Sequence, residues 1–192
     1  DRQYTNGQDS IARRSAQTAI HQVMNILVRL ISPILSFTAE EVWQTHPYFN
    51  SISKSVFLAD EYSIDLPEAS FSEPEWRRIF EIKDLVNQAI EEERNQGNIK
   101  GSLDTILELE LEGSDFDLLG RFGDELHFLF ITSECILKKG RRFKANVSTS
   151  AHEKCVRCWH RCPTVGKSEK HPEICSRCEL NIEGGGEVRQ FV

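Results

Sequence analysis

The sequence predicts a mainly α chain in three parts: a helical bundle over residues 1–72, a helix with a small α+β unit over 73–150, and a cysteine-rich ribbon over 151–192. Three patterns carry that expectation. Apolar residues recur at helical spacing in two long stretches, one later run alternates strictly, and five of the six cysteines fall between Cys155 and Cys178. A length of 192 residues suits one large domain or two to three small ones. With 39% hydrophobic and 28% charged residues, the composition excludes a wholly disordered, collagen-like or coiled-coil chain.

From Ser10 the apolar positions Ile11, Ala19, Ile20, Val23, Ile26, Leu27, Leu30 and Ile31 predict a long amphipathic helix, with Arg13, Arg14, Gln17 and Gln22 between them. Pro33 ends or kinks it near Ile31. A second helix is expected from Thr38, because Thr38 and Glu41 have capping-box spacing ahead of Val42 and Trp43. Two helices in series imply a bundle. Residues 44–74, with Pro47, Asn50, Pro67 and Pro74, read as connecting structure with at most a short extended piece at Val56–Leu58. Ser72 and Glu75 then repeat the capping-box spacing and open a helix that stops at Gly97. Its inner stripe is Trp76, Ile79, Phe80, Ile82, Leu85, Val86, Ala89 and Ile90, and Glu91-Glu92-Glu93-Arg94 reads as a solvated face.

After Gly101 the period changes to two. Leu103, Thr105, Leu107, Leu109 and Leu111 alternate with Asp104, Ile106, Glu108, Glu110 and Glu112, the pattern of a half-buried strand. A helical stretch is expected from Asp115 to about Leu129, a second strand at Ile131–Leu137 holding Cys135 as a small buried hydrophobe, and a third at Ala145–Ser150. No run reaches the roughly 18 apolar residues of a membrane span. The stretch Val23 to Phe37 is interrupted by Asn25, Arg29 and Pro33, so the chain is expected to be soluble. It opens on Asp1 with one methionine, Met24, and no basic-then-apolar leader, which predicts a piece of a longer, cytoplasmic polypeptide.

Charge is divided unevenly. Residues 1–137 hold 11 Lys/Arg and 24 Asp/Glu, whereas residues 138–192 hold 12 and 6, so a basic tail follows an acidic body. The overall charge of −7 argues against a polyanionic partner, but binding follows the local field, and a compact positive lobe holds phosphates on an acidic molecule. The plainer reading is a soluble, lysine-rich end.

The cysteines carry the chemistry. Cys155-Val156-Arg157-Cys158 and Cys175-Ser176-Arg177-Cys178 are separated by 16 residues, a spacing suited to a four-cysteine zinc site. Each pair sets two sulfurs on one side of a tight turn, and the excursion between them is long enough for a hairpin to complete a tetrahedron. Four thiolates leave no open position, so one ion would be structural and activate no water. The roughly forty residues of this zinc ribbon hold too few large apolar side chains to offset about 1–2 kcal/mol of backbone entropy per residue. A bound zinc contributes on the order of 10 kcal/mol or more. His160 and Cys162 lie close enough to compete as ligands, but the paired spacing favours supporting or exposed roles. His171-Pro172-Glu173 has the H-x-E form of a zinc deaminase, yet only Ile174 separates it from Cys175, where that chemistry needs a longer strand-helix stretch.

Arg157, Trp159, Arg161, Lys167, Lys170, Arg177 and Arg189 are interleaved with these ligands, with Phe191 near the end. Such residues meet phosphates and stack on unpaired bases. Trp159 has an alternative role as the cover over the sulfurs.

Lys154-Cys155-Val156-Arg157-Cys158-Trp159-His160, Glu173-Ile174-Cys175-Ser176-Arg177-Cys178 and Gly186-Glu187-Val188-Arg189-Gln190-Phe191 resemble the carboxyl-terminal zinc finger of bacterial isoleucyl-tRNA synthetases. Asp1-Arg2-Gln3-Tyr4, Ala12-Arg13-Arg14-Ser15 and the run from Pro33 to Trp43 resemble the helical anticodon-binding domain of that family. Gly101-Ser102-Leu103 and Gly123-Asp124-Glu125-Leu126 are similar to its junction region. The resemblance spans nearly the whole chain; departures are Val156, where the family has proline, and Cys162.

The resemblance implies a parent ligase that charges isoleucine tRNA, with ATP and magnesium held in a catalytic domain and misactivated valine removed in an editing domain, both upstream. It implies no catalytic residue here: no HIGH signature occurs, and Ser51-Ile52-Ser53-Lys54-Ser55 only echoes KMSKS. For this chain it implies a bundle of anticodon-binding type, a monomer without membrane contact, and a grip on the anticodon side of the tRNA. That grip would use Arg13, Arg14, Arg157, Trp159, Arg161, Lys167, Arg177 and Arg189, beside a zinc held by Cys155, Cys158, Cys175 and Cys178. Two alternatives are the finger of a formamidopyrimidine-type DNA glycosylase, which requires an amino-terminal proline nucleophile, and a structural or protein-interaction ribbon.

Overall fold

Seven residues of strictly alternating burial, Thr105–Leu111, make the strand around which the larger part of the chain is assembled. A computed structural model describes residues 2–60, 62–64 and 68–191. Asp1, Pro67 and the ribbon's last residue, Val192, lie outside the described residues. The chain divides into two units, one of Asp1–Ala12 with Ala69–Val192 and the other of Arg13–Glu68.

In sequence order the helices and strands are α1 (Arg2–Thr5), α2 (Ile11–Ile31), α3 (Ser36–Thr45), α4 (Phe49–Ile52), α5 (Glu73–Asn95), β1 (Thr105–Leu111), α6 (Gly113–Gly120), α7 (Leu126–Phe130), β2 (Glu134–Lys139), β3 (Lys144–Thr149) and α8 (Ser176–Glu183). Among the described residues the fold is mainly α with one small three-stranded sheet.

In the Arg13–Glu68 unit, α2 ends at Ile31, two residues before Pro33, which cannot donate to the helical ladder. The next helix starts at Ser36, earlier than Thr38 predicts. The amides of Ile34 and Leu35 both bond the Ile31 carbonyl and Ala39 bonds Leu35, so the turn feeds directly into α3 and Thr38 lies inside it. Trp43 is fully buried, stacks on Phe49 at 4.8 Å between ring centroids, and donates its indole N–H to the Ser53 carbonyl at 2.8 Å. Arg29 lies over the Trp43 ring at 4.7 Å and donates to the Asp60 carbonyl. Val56–Leu58 is a 3-10 turn, not an extended piece, and the Ser55 hydroxyl caps it by accepting from the Phe57 amide.

The apolar face read from α2 is only partly the buried one. Val28 and Asn25 are buried with Met24 and Ile31 beside them, while Ile20, Val23, Leu27 and Leu30 are exposed. The described residues of this unit therefore pair α2 with α3, α4 and the 3-10 turn and leave an open apolar stripe on α2.

In the larger unit, the Glu75 carboxylate accepts from the Ser72 amide at 2.6 Å and the Ser72 hydroxyl at 2.8 Å, closing the predicted capping box. The helix stops where Gly97 takes φ 79°, a left-handed conformation open to glycine at little cost. Ile79, Ile82, Val86 and Ile90 are buried, but Phe80 and Leu85 of the predicted stripe stay exposed at its flanks. Arg78 holds both Asp115 carboxylate oxygens, at 3.0 and 2.7 Å, which fixes α5 to α6.

The buried side of β1 presents Thr105, Leu107, Leu109 and Leu111, and the helical core closes over it with Leu119, Phe122, Leu126, Leu129 and Phe130. Leu103, predicted as the strand's first residue, lies in a 3-10 turn instead. The order is β2-β1-β3, with β2 parallel to β1 and β3 antiparallel. The single helical stretch expected before β2 is split into α6, a 3-10 turn and α7 where Gly123 turns left-handed (φ 52°), and Ile131 (φ 57°) ends α7 in a second left-handed turn. That turn also delays β2 to Glu134. Register places Cys135 opposite Leu107 on the core side, half-buried, where burial pushes its thiol up to about 12.

Leu107→Ala is expected to destabilise this unit by about 2–5 kcal/mol and Ser72→Ala by about 1 kcal/mol, measured as shifts in denaturant midpoint. Cys135 should resist alkylation at pH 8 in the folded chain and react once denaturant is added.

Candidate metal centre

Two short segments bring four sulfurs together. The Cys155 amide donates to the His160 carbonyl and the Trp159 amide to the Cys155 carbonyl, both at 2.9 Å, while Lys154 and Arg161 form an antiparallel bridge. This closes the first pair into a tight knuckle. The second pair opens a helix: Cys175 caps α8 and Cys178 lies in its first turn, so the two face the same side. The return arm of the excursion is therefore a helix, not the second strand of a hairpin, and the one β-feature among the described residues of this segment is that bridge.

Cys155, Cys158, Cys175 and Cys178 are all buried, with their sulfurs within 4.8 Å of one another. Cys158 and Cys175 lie 3.7 Å apart. A tetrahedron with bonds of about 2.3 Å has an edge of about 3.8 Å, so the donor set and spacing fit zinc. The Cys175 amide also donates to the Cys155 sulfur at 3.3 Å, as amides do toward thiolates. Hydrogen bonds from Cys158, then Cys162 and Cys178, hold Cys175 well below the ordinary thiol range. Cys162 is half-buried and packs beside the cluster with Val165, outside the set of four. His160 is buried with Nδ1 3.2 Å from the Cys158 carbonyl, and burial followed by Arg177 lowers it to about 4, leaving the ring neutral.

Within the zinc module, the guanidiniums among the predicted nucleic-acid residues have partners inside the fold. Arg157 donates to the Thr5 carbonyl at 2.5 Å and the Tyr4 carbonyl at 3.4 Å. Arg161 pairs with Asp104 at 2.8 Å and donates to the His152 carbonyl at 3.0 Å, while its amide bonds the Ser133 hydroxyl. Arg177 and Arg189 share Glu187 at 3.1 and 3.3 Å and both lie over the Phe128 ring, at 4.9 and 3.4 Å. Lys170 is paired with Glu183. Trp159 and Lys167 face outward. In α2, Arg14 is exposed and Arg13 half-buried.

Trp159 does not cover the sulfurs. It has φ 67° and is 60% exposed, with Lys154 5.8 Å from its ring centre. A non-glycine residue is held left-handed at a cost of about 1–2 kcal/mol, so the knuckle dictates where this indole stands.

Asp104, Glu125, Phe128 and Glu187, which receive these cations and the chain's end, were given no site role from the sequence. Glu125 accepts from the amides of Gln190 and Phe191 at 2.5 and 2.9 Å, and Phe191 packs edge-on to Phe71 and Phe122. None of the four carries a local signal of its role: Asp104 falls in the outward phase of the alternation, yet it is buried.

Residues 1–111 match the family model of the anticodon-binding domain of tRNA ligase, and residues 153–181 match the zinc finger found in FPG and IleRS. Isoleucine–tRNA ligases of Dichelobacter nodosus, Stutzerimonas stutzeri and Legionella pneumophila are 42%, 43% and 41% identical over the whole chain. The chain spans about one fifth of their length, 21–22%.

Cys175→Ser is expected to lose stoichiometric zinc and hydrogen-exchange protection across 151–191 while α2 and α5 keep their helicity, read by metal analysis and exchange mass spectrometry. Asp104→Ala leaves the Arg161 guanidinium without its carboxylate; exchange in 151–162 should rise, with zinc retained and a loss of about 1–3 kcal/mol.

Proposed function

The chain belongs to the anticodon-binding domain family of tRNA ligases, and from that premise we propose that it is the tRNA-gripping carboxyl-terminal portion of an isoleucine–tRNA ligase. Its ligand is isoleucine tRNA, engaged on the anticodon side. One zinc, held by Cys155, Cys158, Cys175 and Cys178, supplies rigidity alone, since four thiolates leave no position for water. ATP and magnesium belong to a catalytic domain elsewhere in the parent polypeptide, and this chain contributes binding rather than chemistry. The parent works as a cytoplasmic monomer; among the described residues no helix is long and apolar enough to cross a membrane.

One observation carries the reading of the zinc module: the exposed, left-handed Trp159 on the knuckle that holds Cys155 and Cys158. Stacking a base on an aromatic side chain contributes about 1–3 kcal/mol, and a side chain already fixed in place loses little further freedom on binding. Lys154, exposed beside that ring, supplies a phosphate contact near it, and the exposed Lys167 adds a further cation on the same module. Arg157, Arg161, Arg177 and Arg189 act by orienting the module, through the internal partners described above. Arg13 and Arg14 at the start of α2 are a separate contribution of the helical part. The open stripe of Ile20, Val23, Leu27 and Leu30 suits packing against another part of the parent polypeptide, which in the relatives is about five times longer than this chain.

Trp159→Ala should weaken binding of an isoleucine tRNA transcript by about 5- to 150-fold with zinc content unchanged, in filter binding or fluorescence titration. Unchanged affinity would remove the stacking role. The wild-type chain should also prefer that transcript to duplex DNA; a glycosylase finger would show the reverse preference.

A further inference from the structure

Five of the tail's twelve basic residues fall within seven positions, Lys138, Lys139, Arg141, Arg142 and Lys144, and no acidic residue occurs from 138 to 152. All five are exposed. Arg141 and Arg142 lie on the connection from β2 to β3, with Lys138 and Lys139 at the end of β2 and Lys144 at the start of β3; the connection crosses the end of β1 because those strands flank it on opposite sides. The Gly140 amide bonds the Leu111 carbonyl at 2.7 Å. A Cβ on Gly140 would meet the Glu110 side chain at 3.2 Å, so the loop lies close against the strand end. Phe143 is half-buried and packs against the core, which anchors the loop and leaves its two arginines outward.

The acids beside this loop neutralise only part of it. Lys138 pairs with Glu108 at 3.0 Å, and register places Glu110 between Lys138 and Lys144 on the outer face of the sheet. Lys139 lies near the Phe116 ring at 5.7 Å. Among the described residues, Arg141, Arg142 and Lys144 have no carboxylate within salt-bridge distance. This contrasts with the zinc module, where the arginines serve the fold.

The loop and the zinc module occupy opposite ends of one strand. Asp104, which receives Arg161, precedes β1, whereas Lys139 is opposite Leu111 at its other end. Six steps along β1 at about 3.4 Å each separate those ends by about 20 Å, a span of several nucleotides.

We propose that the Lys138–Lys144 loop is a second RNA contact, a sequence-independent site for backbone phosphates at the pole of the sheet remote from the zinc. This rests on the tRNA-binding reading and adds to it a surface in the α+β unit. Point charges on a fixed loop attract phosphate without reading bases, and each contact releases condensed counterions. Stacking at Trp159 and charge at the loop then hold one strand at two separated points.

The test is a salt titration of an isoleucine tRNA transcript and an unrelated transcript against the full zinc-loaded chain, Arg141→Ala with Arg142→Ala, and Arg141→Lys with Arg142→Lys. The alanine pair should lower affinity on the order of tenfold at 0.1 M salt for both RNAs and reduce the log–log salt slope by about 1.5. Zinc content and thermal midpoint should stay at wild-type values, and the lysine pair should keep affinity and slope. An unchanged slope in the alanine pair would overturn the site, a loss confined to one of the two transcripts would overturn its sequence independence, and a loss in the lysine pair as well would overturn its point-charge basis. If the wild type binds both transcripts equally, the isoleucine-tRNA reading fails while the slope change still upholds the phosphate site. Absence of binding to either RNA overturns both.

Discussion

The sulfurs of Cys155, Cys158, Cys175 and Cys178 lie within 4.8 Å of one another, and the apolar side chains packed with them are essentially Ile174, Val165 and Cys162. So small a cluster cannot offset the backbone entropy of some forty ordered residues. Coordination of a cation by four thiolates can, and it is directional where apolar contact is not. The left-handed Trp159, the first turn of α8 and the Lys154–Arg161 bridge all follow from the requirement that two pairs of sulfurs meet at tetrahedral spacing.

Charge within the larger unit is divided by burial. Where guanidiniums lie against other elements, they are paired or stacked, as with Arg161 on Asp104 and Arg177 and Arg189 over Phe128, because an unpaired buried cation is costly. Arg is suited to this use, since its planar fork satisfies carboxylate, carbonyl and ring together. Cations that remain available to an anionic partner gather where the backbone protrudes, at the β2–β3 connection and around the first knuckle. A basic tail on an acidic body is thus partly mortar for the fold and partly a surface, and composition alone does not separate the two.

The Arg13–Glu68 unit presents the opposite case, apolar side chains without a cover. Periodicity in α2 marks a broad apolar arc, but a helix pair can bury only one side of it. Val28 and Met24 face Trp43 and Phe49, and Ile20, Val23, Leu27 and Leu30 remain outside. Three or four apolar positions in each two turns signal burial without saying against what.

Local chemistry was legible from the residues themselves. The Ser72–Glu75 capping box, the stop at Pro33, the alternation from Thr105 to Leu111 and the paired cysteines each depend on groups a few positions apart, whose geometry the backbone period sets directly. Tertiary packing decided what depends on distant partners. It exposed Leu85 and Phe80, broke the helix after β1 at Gly123, began β2 three residues late, and turned the second cysteine pair into a helix start. It also took Arg157, Arg161, Arg177 and Arg189 into the interior contacts of the fold and left Trp159 outside, because the energy of a charged or aromatic side chain is set by the surroundings into which folding delivers it, and those surroundings come from residues tens of positions away.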